Sequence, residues 1–348
     1  MTAPPSLLEI AAPVERRIGA LLTAEHERWA GVDAELEAPL AVLSDFVLSG
    51  GKRLRPAFCH WAFVGAGGDS DDPLVVDAGA AFELLHAFAL VHDDVMDGSN
   101  TRRGTQTVHR RFEERHNASG WRGEPRRFGE GLAILVGDLA FVYADLLMAG
   151  APAAAREVWD ELRIELNVGQ YLDVVGTARR HVGLDGARRI ASYKSGKYTV
   201  ERPLHVGAAL AGRPDLGPAL SAYGLPLGEA FQLRDDVLGV FGDSDATGKP
   251  VGDDLREGKP TPLLALATER ATPPQAALLE DVGDPDLDDD EVAILQEVLV
   301  ATGALDEVER RIAHLADEAG HAAEAAPLTA GARSALTELA SYVAWRDR

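Results

Sequence analysis

Helical periodicity along almost the whole chain limits its possible folds more than any other feature. The long segments are rich in Ala, Leu and Glu, which favour helix, and their apolar residues recur at helical spacing. Alternating Val, Ile and Thr stretches with hairpin turns are nearly absent. We therefore predict an all-α protein. The predicted helices span residues 5–31, 33–49, 56–66, 73–97, 132–149, 152–175, 185–196, 199–211, 216–241, 261–269, 291–302, 304–324 and 329–346.

The chain shows no linker and no internal repeat, so we expect residues 1–348 to form a single helical domain around a deep central cavity. The Gly- and Arg-rich stretch 116–131 and the acidic stretch 281–290 are predicted to be surface loops. No function is evident for the first of these.

The charge balance and the cysteine content restrict the partners and the compartment. The chain has 34 basic and 56 acidic residues, a net charge of −22, which disfavours nucleic acid and anionic membranes as partners. Cys59 is the only cysteine, so no disulfide can form within the chain. The N-terminus lacks a secretory pattern, and no uninterrupted apolar run reaches the length of a membrane span. We expect a cytoplasmic protein without stable membrane insertion.

The helix predicted over 73–97 ends in the aspartate cluster DDVMD. Asp93 and Asp97 lie one turn apart on one face, and His86 lies on the same stripe. Stacked carboxylates repel each other unless a hard cation such as Mg²⁺ binds them together with substrate phosphate. A solvated acidic helix end is the alternative. The apolar residues that precede the cluster, and Arg102 and Arg103 after it, favour the metal site.

A second aspartate cluster, in the segment GEAFQLRDDVLG, follows about 140 residues later. Gln232 and Asp236 share a helical face, with Asp235 and Gly239 beside them. Asp243 is either a further ligand or the end of the helix. Two such clusters on separate helices can face one another and hold several Mg²⁺ ions around a diphosphate, whose growing charge those ions would stabilise.

Basic residues occur in contexts that suit a second diphosphate. In GGKRLRP, at 50–56, the glycines permit close backbone approach, and Lys52 and Arg55 stand at a helix start. Lys194-Ser195, Lys249 and Lys259 lie in polar or Gly/Pro-containing segments. Solvated basic residues are the alternative for each of these, and only the aspartate clusters favour phosphate binding.

Taken together, these segments make the chain resemble the trans-isoprenyl diphosphate synthases, the polyprenyl synthetase family, over about residues 35–346. The matching segments are GGKRLRP at 50–56, ELLHAFALVHDDVMDGSNTRRGTQTVH at 83–109, VGDLAF at 136–141, FQLRDDVLGVFGD at 231–243 and GKPVGDDLREGKPTPLL at 248–264. The resemblance implies an all-α homodimer, isopentenyl and allylic diphosphate substrates, and three Mg²⁺ ions, which Mn²⁺ can replace.

The resemblance also assigns roles by position. Asp93 and Asp97 would bind two ions and Asp235 the third, with Asp94 and Asp236 in support. The residues that would engage the allylic diphosphate are Arg102, Lys194 with Ser195, Gln232, Lys249 and Lys259. Those that would hold isopentenyl diphosphate are Lys52, Arg55, His86 and Arg103. The predicted catalytic set is Asp93, Asp94, Asp97, Arg102, Lys194, Asp235, Asp236 and Lys249.

The chain departs from the family pattern at two positions. Gly239 stands where many members carry a third aspartate in the second cluster. Ser195 follows Lys194 where threonine is usual, and nearby Lys197 is an alternative match for that lysine. Active members also lack the third aspartate, so this departure weakens the predicted metal site little.

The implied reaction is a head-to-tail condensation of the two diphosphates, without a covalent enzyme intermediate. One rival is a class I terpene cyclase, but the second cluster lacks that class's metal motif, and a cyclase does not require the GGKRLRP segment. A non-catalytic regulatory subunit is the other rival. The first aspartate cluster is intact, which favours the enzyme.

Product length should depend on side chains below Asp93 on the same helix. Ala89, Leu85 and Phe82 lie about 6, 12 and 16 Å below it, and Phe88 narrows the channel from the side. This pattern resembles microbial synthases that make the C20 product. We therefore predict geranylgeranyl diphosphate, with farnesyl or a longer polyprenyl diphosphate as the alternative; Phe82 and Phe88 could also be plain core residues.

Overall fold

The computed structural model describes residues 3–179, 182–242 and 251–346, and most of them are helical, which confirms the all-α prediction. The helices are α1 (Pro5–Ala30), α2 (Glu37–Leu48), α3 (Leu54–Gly65), α4 (Pro73–Asp97), α5 (Val108–Ser119), α6 (Pro125–Met148), α7 (Ala153–Ala178), α8 (Leu184–Ala191), a π-helix (Ser192–Glu201), α9 (Arg202–Leu210), α10 (Gly217–Phe241), α11 (Asp253–Glu257), α12 (Pro262–Arg270), α13 (Pro273–Leu279), α14 (Asp289–Ala301), α15 (Ala304–Ala325) and α16 (Ala330–Trp345).

Local chemistry sets both ends of α4, the helix that carries the first aspartate cluster. The Asp72 side chain accepts a hydrogen bond from the backbone N–H of Leu74, and Pro73 occupies the first helical position. At the other end, Gly98 adopts a left-handed conformation with φ of 67°. The bounds of α4 are those predicted from the sequence.

α10, which carries the second cluster, packs into two apolar cores. Leu220 and Leu227, in its first half, belong to the large core, to which α1 to α7, the π-helix, α9, α15 and α16 also contribute. Leu233 and Val240, in its second half, belong to a smaller core with α12, α14 and α15. This double packing holds the end of α10 firmly, which is where its aspartates lie.

A short antiparallel hairpin follows α4. Its strands are β1 (Thr101–Arg102) and β2 (Thr105–Gln106), in which Arg102 pairs with Thr105. The chain reverses at Arg103 and Gly104, which have φ of 53° and 73°. This turn sends the Arg102 side chain back to the end of α4, where it bonds Asp94.

The predicted helices 185–196 and 199–211 are replaced by α8, the π-helix and α9. Ser192–Glu201 forms the π-helix, which packs against α7 and α10. π-Helical turns are rare and are found frequently at functional sites. Here the wider turns bring Lys194 into contact with Asp173 of α7.

The predicted surface loop 116–131 is wrong, because most of it is helical. α5 continues to Ser119 and α6 begins at Pro125, where the Glu124 carboxylate accepts hydrogen bonds from two backbone N–H groups. Gly129 is required by packing, since a side chain there would meet the backbone oxygen of His109 at 2.2 Å. α5, α11 and α13 were also missing from the predicted helices. The predicted loop 281–290 is confirmed as non-helical only up to residue 288, because α14 begins at Asp289.

Two described helices, α4 and α6, have the length and composition of a membrane span. The apolar window is 61% buried inside the fold in α4 and 44% buried in α6. Core helices commonly meet the same criteria, so these two properties alone are weak evidence for a membrane span.

Candidate active site

The first aspartate cluster lies where the end of α4 meets α7 and the π-helix. Asp93 Oδ1 accepts hydrogen bonds from Gln170 Nε2 at 2.8 Å and from Lys194 Nζ at 3.0 Å. The Lys194 ammonium also donates to Asp173 Oδ2 at 2.6 Å. Asp93 is therefore held by groups from two elements that lie far from it in sequence.

Arg102 completes this side of the cluster. Its Nε donates to Asp94 Oδ1 at 2.7 Å, and its Nη2 lies 3.7 Å from Asp93 Oδ2. Asp94 is fully buried, so its charge is offset by this guanidinium instead of by water. The fold thus brings Arg102, Lys194 and the first cluster together.

The second cluster lies at the end of α10. Asp236 is buried, and its Oδ1 accepts a hydrogen bond from Gln232 Nε2 at 2.7 Å. The Asp235 carboxyl is 40% exposed and pairs with Arg346 Nη2 at 2.5 Å. Arg346, which follows the last helix, is a partner that the sequence reasoning missed.

Lys259 lies between the first cluster and α11, which packs on α10. Its Nζ is 2.6 Å from Glu257 Oε2, 3.6 Å from Asp97 Oδ2 and 3.7 Å from Asp254 Oδ1. Burial opposes its charge, but Asp254 and Glu257, and then Asp97, raise the pKa of Lys259 well above its ordinary value. This ammonium therefore stays charged and joins carboxylates from α4 and α11.

Asp93 and Asp97 of the first cluster differ in acidity. Burial alone would raise the pKa of Asp93, but Lys194 and Lys259, with a nearby guanidinium, lower it well below its ordinary value. Burial and the negative charge of Asp93 raise the pKa of Asp97 to about 6. Asp97 therefore binds a proton more readily than Asp93 does.

One carboxyl group of the second cluster also resists ionisation. Burial raises the pKa of Asp236 well above its ordinary value, and the charges of Asp254 and Asp235 add to this despite the hydrogen bond from Gln232. Asp236 Oδ2 and Asp97 Oδ2 are buried and have no hydrogen-bond partner among the described residues. Buried, unsatisfied carboxylate oxygens on both helices fit a divalent cation.

Within the described ranges, no three acidic, histidine or cysteine side chains lie close enough to hold a metal ion by themselves. Mg²⁺ does not need such a cage, because it commonly takes one or two carboxylates together with water and substrate phosphate. The separate carboxylates of α4 and α10 suit that mode of binding.

A second group of cations surrounds the start of α3. Arg55 Nη2 donates to Thr199 Oγ1 at 2.8 Å, and its guanidinium lies 4.3 Å from the centre of the Tyr198 ring. Arg103 Nη1 donates to the backbone oxygen of Gly50 at 2.7 Å. The GGKRLRP segment, the hairpin and the π-helix therefore meet in one place.

His86 of α4 belongs to the same group. Its ring centre lies 6.2 Å from that of Tyr198. Burial, followed by the positive charges of Arg55 and Arg103, lowers the pKa of His86 well below its ordinary value. The imidazole is therefore neutral near pH 7 and can donate or accept one hydrogen bond at each nitrogen, depending on the tautomer.

Arg53 has a different environment from its neighbours Lys52 and Arg55. It adopts a left-handed backbone with φ of 52°, and its buried side chain pairs with Glu83 and with Glu15. These carboxylates offset its charge, whereas Lys52 is half-buried at the surface of the same turn. Arg53 therefore anchors the turn.

The side chains predicted to set product length lie on α4 at different depths. Phe82 and Leu85 are fully buried, and the Phe82 ring meets the Trp159 ring of α7 edge to face at 5.3 Å. Phe88 is half-buried and lies 4.8 Å from Phe141 of α6, centre to centre. Ala89 is half-buried nearer the aspartates.

The fold separates Lys194 from its alternative, Lys197. Lys197 pairs with Glu165 and lies 3.9 Å from Glu201, whereas Lys194 reaches Asp93. Ser195 is half-buried between them in the π-helix. Lys249 and Asp243 lie outside the described residues.

Sequence reasoning missed several polar groups in this region: Gln170, Asp173, Asp254, Glu257 and Arg346. Gln170 and Asp173 had a usable signal, because they are three residues apart on a helix and Asp173 is flanked by apolar residues. Asp254 and Glu257 lie in a segment from which only the lysines were singled out. Arg346 had no signal, since its partner is 111 residues away.

These features can bind two negatively charged groups in adjacent places. One place combines carboxylates with Lys194, Lys259 and Arg102, and so suits a diphosphate together with divalent ions. The other combines cations with a neutral imidazole and lacks the paired aspartates, and so suits a diphosphate without them.

Comparison with known proteins agrees with this arrangement. The family model for polyprenyl synthetase matches residues 37–299. The chain is similar to a geranylgeranyl pyrophosphate synthase structure from Corynebacterium glutamicum, complexed with isoprenyl diphosphate and magnesium. That likeness has 39% identity and a TM-score of 0.92, and it covers 96% of this chain and 97% of that one.

Two curated relatives make products of different length. The geranylfarnesyl diphosphate synthase of Aeropyrum pernix is 29% identical over 86% of this chain and 92% of its own. The (2E,6E)-farnesyl diphosphate synthase of Mycobacterium tuberculosis is 35% identical over 73% of this chain and 68% of its own. The match of the family model and these similarities establish that the chain is a prenyltransferase of the polyprenyl synthetase family, whose members condense isopentenyl diphosphate with allylic diphosphates.

Proposed function

We propose that this chain joins isopentenyl diphosphate to dimethylallyl, geranyl or farnesyl diphosphate in a Mg²⁺-dependent reaction, and that its main product is geranylgeranyl diphosphate. The observation that carries the proposal is the pair of buried carboxylate oxygens, on Asp97 and Asp236, which have no hydrogen-bond partner among the described residues. A similar synthase whose structure contains isoprenyl diphosphate and magnesium supports the same reading.

In this proposal Asp93, Asp97 and Asp235 would hold the Mg²⁺ ions, three in number. When bound, the ions would offset diphosphate charge and stabilise the leaving group. Asp94 and Asp236 would support these ligands, because each is itself fixed by a hydrogen bond, from Arg102 and from Gln232. Mn²⁺ should be able to replace Mg²⁺.

The allylic diphosphate would lie beside these aspartates. The groups assigned to it are Arg102, Lys194, Ser195, Gln232, Lys249 and Lys259. Two of these ammonium groups already contact carboxylates. Lys194 Nζ lies 2.6 Å from Asp173 and 3.0 Å from Asp93, and Lys259 Nζ lies 2.6 Å from Glu257. Anionic oxygens of a substrate would add to that network. Fixed cations stabilise charge that develops on a diphosphate as it leaves.

The condensation then follows from the charges. The allylic C–O bond breaks, and the electron pair stays on the diphosphate. The double bond of isopentenyl diphosphate attacks the allylic cation and forms the new C–C bond. A proton is lost from the resulting cation to the departing diphosphate, which leaves a longer allylic diphosphate. No protein nucleophile takes part.

Isopentenyl diphosphate would be bound by Lys52, Arg55, Arg103 and His86. Its diphosphate remains attached to the product, so this place needs binding without activation of a leaving group. The four side chains fit that need, because three are cations and the pKa of His86 is lowered enough to keep it neutral. Arg53 is excluded from direct binding by its pairs with Glu83 and Glu15.

The proposed chain length rests on α4. Half-buried Ala89 leaves room below Asp93, and the fully buried contact of Phe82 with Trp159 would close the channel about 16 Å below the aspartates. Leu85 lies between them and Phe88 at the side. Relatives that make shorter and longer products show why the floor of the channel has to be tested directly.

We also propose a homodimer formed by α6 and α7. Leu135, Val142 and Leu146 of α6 are 51–59% exposed, and Ile164 and Tyr171 of α7 are 59% and 70% exposed. The spacing of seven and four residues places the α6 side chains on one helical face. A second copy of the same face would cover both apolar stripes, which is the usual form of a symmetric dimer.

Metal dependence tests the proposed function most simply. Purified protein is incubated with allylic and isopentenyl diphosphates, with Mg²⁺ or with a chelator, and the products are dephosphorylated and separated. We expect condensation only with Mg²⁺ or Mn²⁺, and an unchanged helical circular dichroism in chelator. Full activity in chelator would contradict the metal-binding role of the aspartates.

The two diphosphate places should respond differently to substitution. Asp93→Ala and Asp235→Ala should lower kcat by roughly 10²–10³-fold, because they act on leaving-group charge. Lys52→Ala should raise KM for isopentenyl diphosphate by about tenfold or more with a smaller effect on kcat. Exposed Arg126→Ala removes one positive charge elsewhere and serves as the control. A Lys52→Ala variant with a changed KM only for the allylic substrate would refute the assignment.

Product length should follow the side chains on α4. Ala89→Phe should shorten the product, and Phe82→Ala should lengthen it while costing about 3–5 kcal/mol of stability. Phe112→Ala, which opens a similar space in α5, is the control and should leave the product unchanged. The readout is chromatography of the dephosphorylated products. If the parent and all three variants make products of the same chain length, residues other than Ala89 and Phe82 form the floor of the product channel.

The dimer is tested by light scattering after size exclusion. The parent should have twice the 37.1 kDa mass of the chain. Leu146→Asp should shift it toward the monomer, because a dimer would bury two unpaired carboxylates. Val300→Asp, at a similarly exposed apolar residue of α14, should leave the mass unchanged. A monomeric parent, or a dimeric Leu146→Asp variant, would refute this interface.

A further inference from the structure

The two aspartate clusters differ at one position. In the first, Asp97 follows Asp93 by one helical turn, so two carboxylates share a face of α4. In the second, Gly239 follows Asp235 by the same turn on α10. On α10 itself, the second cluster therefore lacks a carboxylate at the position that corresponds to Asp97 of the first cluster.

The place of that missing side chain is filled by another residue. A Cβ atom added to Gly239 would lie 2.0 Å from Asp254 Oδ2 and 2.4 Å from its Cγ. No pair of non-bonded atoms tolerates such a distance. The Asp254 carboxylate, carried by α11, therefore occupies the space into which a side chain at position 239 would point.

The surroundings of Asp254 are those expected of a member of the cluster. Its carboxylate lies against Gly239, three residues after Asp236, and Asp236 Oδ2 is buried with no hydrogen-bond partner among the described residues. Across Lys259, at 3.7 Å, it faces Asp97 of the first cluster, which is 3.6 Å from the same ammonium. Asp254 is therefore close to carboxylates of both clusters.

We propose that Asp254 supplies the third carboxylate of the second cluster, in place of an acid at position 239, and helps to hold Mg²⁺ against the diphosphate. The inference rests on the proposed function. Gly239 is then the residue that makes room for a carboxylate delivered from a separate helix. An acidic side chain at position 239 would compete with the Asp254 carboxylate for the same space and for the same Mg²⁺ ion.

A reciprocal exchange tests this inference on the full chain. The probe is inorganic diphosphate, titrated calorimetrically with and without Mg²⁺, and helical circular dichroism verifies folding. Asp254→Asn and Asp254→Gly should weaken Mg²⁺-dependent diphosphate binding by about 10–100-fold, the usual effect of losing a supporting ligand. Exposed Asp290→Asn carries the same charge change and should bind like the parent.

Moving the carboxylate from position 254 to position 239 then tests whether its location matters as well as its charge. Gly239→Asp alone should also weaken binding, because two carboxylates cannot occupy the same space. Gly239→Asp combined with Asp254→Gly should bind within about threefold of the parent, and so at least severalfold more tightly than Asp254→Gly alone. Such non-additivity is expected only of residues that share one place.

Two outcomes would overturn the inference. In one, Asp254→Asn and Asp254→Gly bind Mg²⁺-diphosphate like the parent. In the other, the combined variant binds no better than Asp254→Gly. If Gly239→Asp fails to fold, the two Asp254 variants still decide. If the parent itself binds diphosphate equally well without Mg²⁺, the proposed function fails, which is a distinguishable result.

Discussion

The repulsion between buried carboxylates at the ends of α4 and α10 is the constraint on which the rest of the site depends. Lys194, Lys259 and Arg102 offset part of the negative charge, and they lower the pKa of Asp93 well below its ordinary value. They leave the pKa of Asp97 raised to about 6. A carboxyl group whose ionisation is opposed in this way is one that an added cation would stabilise in its charged form.

The elements around the aspartates serve this arrangement. α10 packs into two cores, the hairpin returns Arg102 to α4, and the π-helix turns Lys194 toward α7. Near the start of α3, Arg53 and Arg103 are the non-glycine residues with positive φ among those described. Strained backbone of this kind persists where the surroundings hold it, and here the pairs of Arg53 with Glu83 and Glu15 do so.

The parts that the sequence predicted were those set by local chemistry. α4 was predicted with its observed bounds because Asp72, Pro73 and Gly98 mark its ends. The stretch 116–131 was predicted to be a loop because it is rich in Gly and Arg, whereas its Gly129 permits close helix packing. The π-helix and the contact of Asp254 with Gly239 depend on packing between distant segments, which no local pattern records. Both aspartate clusters were identified, but Gln170, Asp173 and Arg346, which contact the site from distant parts of the chain, were not.

A structure with Mn²⁺ and a non-reactive allylic thiodiphosphate would test the central claim most directly. We predict anomalous peaks between α4 and α10, at about 2.1–2.3 Å from carboxylate oxygens of Asp93, Asp97 and Asp235, with the diphosphate between the two helices. Ions bound by only one of the two clusters, or a diphosphate held away from both, would contradict the account.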